Sequence, residues 1–178
     1  HIYYLLLSIV LIWIHDRIKI TSLSCLDIAY ILFYKIRYCY LCPWNSFIYP
    51  GCELIFSSPQ NISIGNRSFL NRNVKLYAEL GKIHIGNQCL VGFNTIISTA
   101  THQTTTIFRD RATPVFRNVY IGNNVWIGAS VTIIGGVRVG DNSIIGAGSL
   151  VHQDIPKDCI YAGNPARFIR TITHGETT

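Results

Sequence analysis

Aliphatic residues recur every six positions along the second half of the chain. The recurrence runs without a break through Ile121, Ile127, Ile133, Val139, Ile145 and Val151. Glycine follows most of these residues directly, and a small or β-branched residue follows four positions later. The same spacing recurs upstream at Ile85, Val91 and Ile97, and more weakly at Ile64, Leu70 and Leu76. One repeating unit therefore builds most of the chain.

A period of six fits neither an amphipathic helix nor an alternating strand. It predicts a coil of short, flat strands joined by tight corners, with the aliphatic side chains stacked inside. Small residues fit the corners, and Gly or Asn relieves the turn geometry there. Three hexads close one triangular coil, so residues 85–102, 121–138 and 139–156 each supply a coil. Each coil covers its neighbour, as in other solenoids.

The repeat breaks between His102 and Ile121. Residues 103–120, "QTTTIFRDRATPVFRNVY", carry no hexad pattern, so we expect them to leave the prism as a loop. Loops on rigid scaffolds often carry function. His102 ends the preceding coil, and an imidazole titrates near neutrality, as a general base requires. Trp126 precedes an inward Ile, so it is expected to point outwards, either as the wall of a ligand site or as a subunit contact.

The first 50 residues have a different character. Residues 2–14 are apolar apart from Ser8, but thirteen residues are too few to span a bilayer. Residues 26–40 are again apolar and rich in tyrosine, with Lys35 and Arg37 among them. We expect an N-terminal helical segment over 1–50, and no signal peptide. It either packs on the core and between subunits, or contacts a membrane surface through residues 2–40.

The amino-acid composition limits the classes of partner that the chain can bind. Apolar residues make up 49% of the 178 residues and charged residues 13%, which excludes a disordered chain. The net charge of +6 suits an anionic ligand, but no Lys/Arg cluster indicates a nucleic-acid partner. Cys39 and Cys42 form a C-x-x-C pair without an obvious fourth zinc ligand, so we expect reduced thiols in a cytoplasmic protein.

From residue 54 to about 172 the chain resembles the maltose, galactoside and nodulation-factor O-acetyltransferases and the acetyltransferases of surface-polysaccharide synthesis. The match is carried by "IGNNVWIGASVTIIGGVRVGDNSIIGAGSLVHQDIPKDCIYAGNPARFIR". This resemblance to the hexapeptide-repeat family implies an all-β solenoid, a left-handed parallel β-helix over 51–160, with a short C-terminal tail over 161–178. It also implies a homotrimer that binds acetyl-CoA between adjacent prisms.

The same resemblance implies roles for individual residues. His102 matches the catalytic base. Asn71, Glu79 and Ser57 match acceptor-side positions, and the matches on the coenzyme side are Ala129, Ala147, Arg167 and Arg170. We also expect Trp126 and Gln153 on the coenzyme side. His152-Gln153 stands where relatives often have Thr-Lys. No metal is required by this chemistry.

The expected function is an acetyl-CoA-dependent O-acetyltransferase that moves an acetyl group directly to a hydroxyl of a sugar or glycan precursor. An apolar, basic N-terminus suits work at the inner face of the cytoplasmic membrane. Two alternatives stay open, a sugar-nucleotide N-acyltransferase and a non-catalytic β-helix used for assembly. A zinc enzyme on the same scaffold, the γ-type carbonic anhydrase, needs three facing histidines that the sequence does not offer.

Overall fold

The computed structural model describes residues 32–33, 36–102 and 114–173. Most of the expected N-terminal helical segment lies outside these residues, although Leu32, Phe33, Ile36 and Arg37 are helical. Within the described part of the chain, no helix is both long enough and apolar enough to cross a bilayer.

Among the described residues, short strands make up nearly all of the regular structure after Arg37, beside a 3-10 turn at Pro59–Asn61. In the described ranges the strands are β1 (Phe47–Ile48), β2 (Glu53–Phe56), β3 (Ile62–Ile64), β4 (Phe69–Leu70), β5 (Lys75–Ala78), β6 (Ile83–Ile85), β7 (Leu90–Val91), β8 (Ile96–Ser98), β9 (Ala100–His102), β10 (Pro114–Phe116), β11 (Val119–Ile121), β12 (Trp126–Ile127), β13 (Thr132–Ile133), β14 (Arg138–Val139), β15 (Ile144–Ile145), β16 (Leu150–Val151), β17 (Cys159–Ala162) and β18 (Arg167–Thr171).

The strands stack into three sheets that form the sides of a prism. Sheet A has the order β1-β4-β7-β12-β15-β17-β18, sheet B the order β16-β13-β8-β5-β2, and sheet C the order β14-β11-β6-β3. The chain visits C, A and B in turn on every coil, and the strands of successive coils pair in parallel. Ile127 pairs with Ile145, eighteen residues on, which confirms the coil length predicted from the period of six.

Packing inside the prism explains the period. The inward aliphatic residues Ile121, Ile127, Ile133 and Ile145 are buried and form columns along the axis. Left-handed backbone recurs once per corner at Asn124, Ser130, Gly136, Asn142 and Gly148. Asn and Gly tolerate this conformation best, which accounts for their recurrence.

The upstream coils are longer than eighteen residues. Leu70 pairs with Val91, twenty-one residues on, and Ile48 pairs with Leu70, twenty-two residues on. The extra residues sit in the corners, including the Pro59–Asn61 turn. These insertions explain why the repeat is weaker before residue 85, although the sheets continue through it.

The prism and its excursion differ from the expected boundaries. The prism includes β1 before residue 51, and β17 and β18 extend it into the expected tail. The excursion was expected to span 103–120 as a loop. Instead, β9 and β10 pair as an antiparallel ribbon, and β11 returns to sheet C at Val119. The coil therefore ends before His102, because residues 100–102 have already left the prism.

Candidate active site

Thr99 anchors the ribbon to the corner between sheets B and C, here called the B–C edge. It is fully buried, and its backbone N and Oγ1 both donate to Tyr77 O, at 2.9 and 3.1 Å. Its carbonyl accepts from Arg117 N at 2.9 Å, where the returning strand arrives. Gly81 and Gly135 lie against it so closely that a Cβ on either would approach within 2.6 Å. The ribbon therefore leaves the prism from a rigid point.

His102 lies on this ribbon with an exposed side chain, opposite Pro114. It lies three residues after the buried Thr99, on the ribbon strand, so the imidazole stands outside the prism. The sequence predicted an exposed histidine at the root of an excursion, and the structure has it there. The ribbon strand, rather than a coil corner, holds its backbone.

Ser57 and Glu79 lie on the same B–C edge in the two coils below. Ser57 donates to the carbonyl of Glu79 through its backbone N, at 3.2 Å, and through its hydroxyl. Asn61 Nδ2 also donates to that carbonyl, at 3.0 Å. These bonds fix the backbone of Glu79 and leave its carboxylate on an exposed residue. The Ser57 hydroxyl has used its proton, so towards a ligand it can only accept.

A second edge, between sheets A and B, carries Asn71 and the predicted coenzyme residues Ala129 and Ala147. We call it the A–B edge. Gly148 N donates to Ala129 O at 2.8 Å, which stacks Ala147 above Ala129. Asn71 N donates to Val91 O lower on the same edge. One side of the prism separates this edge from His102, about 20 Å at roughly 3.3 Å per extended residue.

The predicted acceptor set is consequently divided. Ser57 and Glu79 share an edge with His102, whereas Asn71 shares one with the alanines. A single copy of the chain does not bring these residues together, because the width of sheet B lies between the two edges.

Trp126 points outwards from sheet A, as predicted, with 54% of its surface exposed. Its neighbours across the strands are Leu90 below and Ile144 above. From β1 to β17 the positions of sheet A in this register are all apolar, and the column comprises Phe47, Phe69, Leu90, Trp126, Ile144 and Ile160. On β18 the column ends at Arg170, which faces Ile160.

Arg167 and Arg170 lie on β18, which folds back antiparallel on β17. Arg167 faces Ala162 and Arg170 faces Ile160, because a bulge skips Ile169. The bulge resets the alternation of side chains, so both arginines are on the outer side of the sheet. Arg167 Nη1 lies 3.4 Å from His152 Nε2 and donates to Ala166 O at 3.0 Å. Gln153 is exposed on the turn after β16.

Two residues that the sequence analysis did not select continue the A–B edge downwards. Ser130 N donates to Phe93 O at 2.7 Å, and Asn94 N donates to Arg72 O at 3.2 Å. Arg72, Phe93, Ala129 and Ala147 therefore form one column. A signal was available, since Phe93 follows Val91 by two residues just as Ala129 follows Ile127.

The other possible sites offer fewer side chains that could bind a ligand or react. Across the described ranges, no group of three or more His, Cys, Asp or Glu side chains is arranged to hold a metal ion. The five cysteines of those ranges are free thiols. A hollow of about 410 Å³ lies on sheet C beside His84, Tyr120 and Arg138, and none of the predicted site residues lines it.

Comparison with known proteins identifies the architecture. Residues 118–153 match the family described as bacterial transferase hexapeptide (six repeats). The galactoside O-acetyltransferase of Lactococcus lactis is 39% identical over 132 residues, which are 74% of this chain and 63% of that protein. A putative acetyltransferase of Saccharomyces cerevisiae is 39% identical over 77% of this chain and 68% of its own. The chain thus spans somewhat less than two thirds of the galactoside enzyme.

Solved structures agree with the sequence relatives. A hexapeptide-repeat acetyltransferase from Vibrio cholerae superposes with a TM-score of 0.71 and 30% identity, over 86% of this chain and 84% of that one. The Vibrio protein has also been solved with acetyl coenzyme A, at a TM-score of 0.65, 28% identity and coverage of 86% and 80%. These neighbours imply a left-handed sense for the coil. With its six-residue period, three parallel sheets and these relatives, the chain belongs to the hexapeptide-repeat acetyltransferase family.

Proposed function

We propose that this chain is an acetyl-CoA-dependent O-acetyltransferase that acts on a hydroxyl of a sugar or glycan precursor. The observation that carries the proposal is the exposed His102 on a ribbon anchored at the B–C edge, above Glu79 and Ser57. The relatives support the reaction type, since one is named a galactoside O-acetyltransferase and another was solved with acetyl coenzyme A.

The active site is shared between copies. The B–C edge of one copy supplies His102, and the A–B edge of the next supplies Ala129 and Ala147. Alanines leave room for a narrow pantetheine arm along that edge, next to its backbone groups. Arg167 and Arg170, on the outer side near the C-terminal end, bind the coenzyme phosphates, because guanidinium groups donate in pairs to phosphate oxygens.

A homotrimer brings these edges together. The unbroken apolar column of sheet A, with Trp126 and Leu90 about half exposed, supports this assembly. A contiguous apolar face of this kind on a monomer marks an interaction site. Sheet C carries the polar residues Ser63, His84, Tyr120 and Arg138 at the equivalent positions, so it suits solvent.

In the reaction, the His102 imidazole accepts the proton of the acceptor hydroxyl as its oxygen attacks the thioester carbonyl. The tetrahedral oxyanion that forms needs a donor, either a backbone N–H or a bound water. When it collapses, the carbon–sulfur bond breaks and the imidazolium returns the proton to the departing thiolate. The products are the O-acetyl sugar and coenzyme A, with no covalent enzyme intermediate and no metal.

Mixed assembly tests both the chemistry and the shared site. His102→Ala removes the base, and Ala147→Trp blocks the other edge. Each variant alone should be nearly inactive towards a panel of nucleotide-linked and lipid-linked sugars. Trimers refolded from an equal mixture should recover about one quarter of the parent activity by random assortment. No acetyl transfer by the parent to any sugar overturns the proposed reaction, and no recovery on mixing overturns the shared site.

An amine acceptor is the alternative reaction on the same site. A general base serves an amino sugar as it serves a hydroxyl, so paired amino and hydroxyl sugars belong in the panel. Faster transfer to the amine would replace O-acetylation with N-acylation.

We also propose that the protein contacts the membrane surface at its cytoplasmic face. Phe33, Ile36, Tyr40 and Trp44 are each more than half exposed, next to Arg37. Aromatic and basic side chains of this kind suit the interface of an anionic bilayer. The protein should float with anionic vesicles in a density gradient, and replacement of Ile36 and Tyr40 by Ser should weaken flotation. Equal flotation of both proteins would contradict this contact.

A further inference from the structure

The height of each site residue along the prism follows from the pairing. Phe93 lies in the same coil as β8, from which the ribbon with His102 departs. Ala129 lies one coil higher and Ala147 two, at about 4.8 Å per coil. A three-fold axis parallel to the prisms preserves height between copies. In the proposed trimer, His102 therefore faces the level of Phe93 and Ala129 on the neighbouring A–B edge.

In the proposed complex the coenzyme fills only the upper part of that edge. From Phe93 to Ala162, which covers Gly146, the rise is three coils, or about 14 Å. A pantetheine arm descending from Arg167 along Ala147 and Ala129 thus brings its thioester to the level of His102. The acceptor must then approach from below, where Phe93 and Arg72 continue the column.

Both residues present chemistry that suits a sugar with an anionic group. Phe93 is 48% exposed, and an aromatic face packs well against the C–H face of a pyranose. Arg72 makes no ion pair with any acidic side chain in the described ranges. Glu53, at the start of β2 in sheet B, pairs with Lys75, with 3.3 Å between Oε2 and Nζ. A guanidinium fork binds carboxylate or phosphate through paired hydrogen bonds.

We propose that Phe93 and Arg72 form the acceptor subsite, with Phe93 stacked on the sugar ring and Arg72 bound to a carboxylate or phosphate on that sugar. The subsite rests on the proposed acetyl transfer and specifies its substrate class as an anionic sugar. Glu79 of the adjacent copy faces the same level, where its carboxylate accepts a hydrogen bond from a sugar hydroxyl.

Matched acceptors test the subsite. The parent protein is assayed with a glucoside, the corresponding glucuronide and a glucose phosphate, all carrying the same aglycone. We expect kcat/KM to be about 10- to 100-fold higher for at least one anionic acceptor than for the neutral one. Arg72→Gln should abolish that preference and leave the KM for acetyl-CoA unchanged. Phe93→Leu should raise the KM of every acceptor by about 3- to 10-fold.

The outcomes separate the subsite from the reaction. The glucuronide and phosphate arms show which anion Arg72 binds. Equal kcat/KM for neutral and anionic sugars in the parent overturns the subsite while leaving acetyl transfer intact. The subsite is also overturned if Arg72→Gln no longer forms a trimer in light scattering. That result would mean that Arg72 pairs with Glu79 of the neighbouring copy across the interface. Absence of transfer to every acceptor refutes the proposed function itself.

Discussion

His102 and Pro114 lie opposite each other in the antiparallel ribbon that leaves the B–C edge. This pairing holds the histidine backbone three residues outside a fully buried anchor, Thr99. An exposed imidazole on a rigid support is the arrangement that general-base catalysis needs.

Replacement of His102 by Ala should lower kcat for acetyl transfer by two to four orders of magnitude, about the usual contribution of a general base. His84 provides a matched control, since it is exposed on sheet C with its Nδ1 2.8 Å from Ser63 Oγ. His84→Ala should retain nearly the parent rate. Steady-state kinetics of both variants with unchanged thermal unfolding would check this, and comparable rates for His102→Ala and the parent would contradict the assignment.

A charge within the apolar column of sheet A should dissociate the proposed trimer. Trp126→Glu introduces a carboxylate between Leu90 and Ile144, and desolvating it at an interface is unfavourable. Light scattering should shift from three copies towards one. Arg138→Glu on sheet C is the control and should leave the assembly unchanged. A Trp126→Glu protein that stays trimeric would show that another face makes the contact.

Gly135 keeps the root of the ribbon in place. An added Cβ would lie 2.4 Å from the carbonyl oxygen of Thr99, and a backbone atom cannot rotate away. Gly135→Ala should lower the free energy of unfolding by about 1 to 3 kcal/mol and reduce kcat as well, because the ribbon shifts.

Gly148→Ala is the comparison for that substitution. Nothing lies within 4 Å of its added Cβ, so the only cost is that alanine must adopt the left-handed backbone conformation of this residue, at φ 69°. This strain lowers the free energy of unfolding by about 1 to 2 kcal/mol. It should not move the ribbon that carries His102, so kcat should stay at the parent value. Equal kcat values for the two variants in urea-free buffer would argue against the role of Gly135.

Alkaline pH should destabilise the protein through Cys52. Burial raises the pKa of its thiol from 9.0 to about 11, and the Sγ donates to Asn71 O at 3.1 Å. Burial also raises the pKa of Cys89. Since the folded pKa exceeds the unfolded one, this stabilisation is complete below pH 9 and is lost as the pH rises through 11. For Cys52 the loss is roughly 2 to 3 kcal/mol.

Urea unfolding between pH 8 and 11 measures this loss. Cys52→Ala should be less stable at pH 8, because it lacks the packed thiol, yet decline less steeply above pH 9. Parallel curves for the parent and the variant would mean that other groups govern the alkaline transition.

The architecture of this protein is encoded in its six-residue repeat. In a solenoid each coil contacts only its neighbours, so a repeat of six encodes strand, corner and inward side chain locally. The same local logic predicted an outward Trp126 and an exposed His102 where the repeat breaks. It also led to the family, through residues 121–170.

The distribution of the candidate site residues over the two edges depends on the folded prism and cannot be read from the repeat. Which edge a residue occupies depends on the summed lengths of all corners before it, and upstream coils of twenty-one and twenty-two residues hide that count. Asn71 consequently lies across sheet B from Glu79. The antiparallel pairing of β9 with β10 and the bulge that aligns Arg167 with Arg170 depend on contacts between strands, which no six-residue period records.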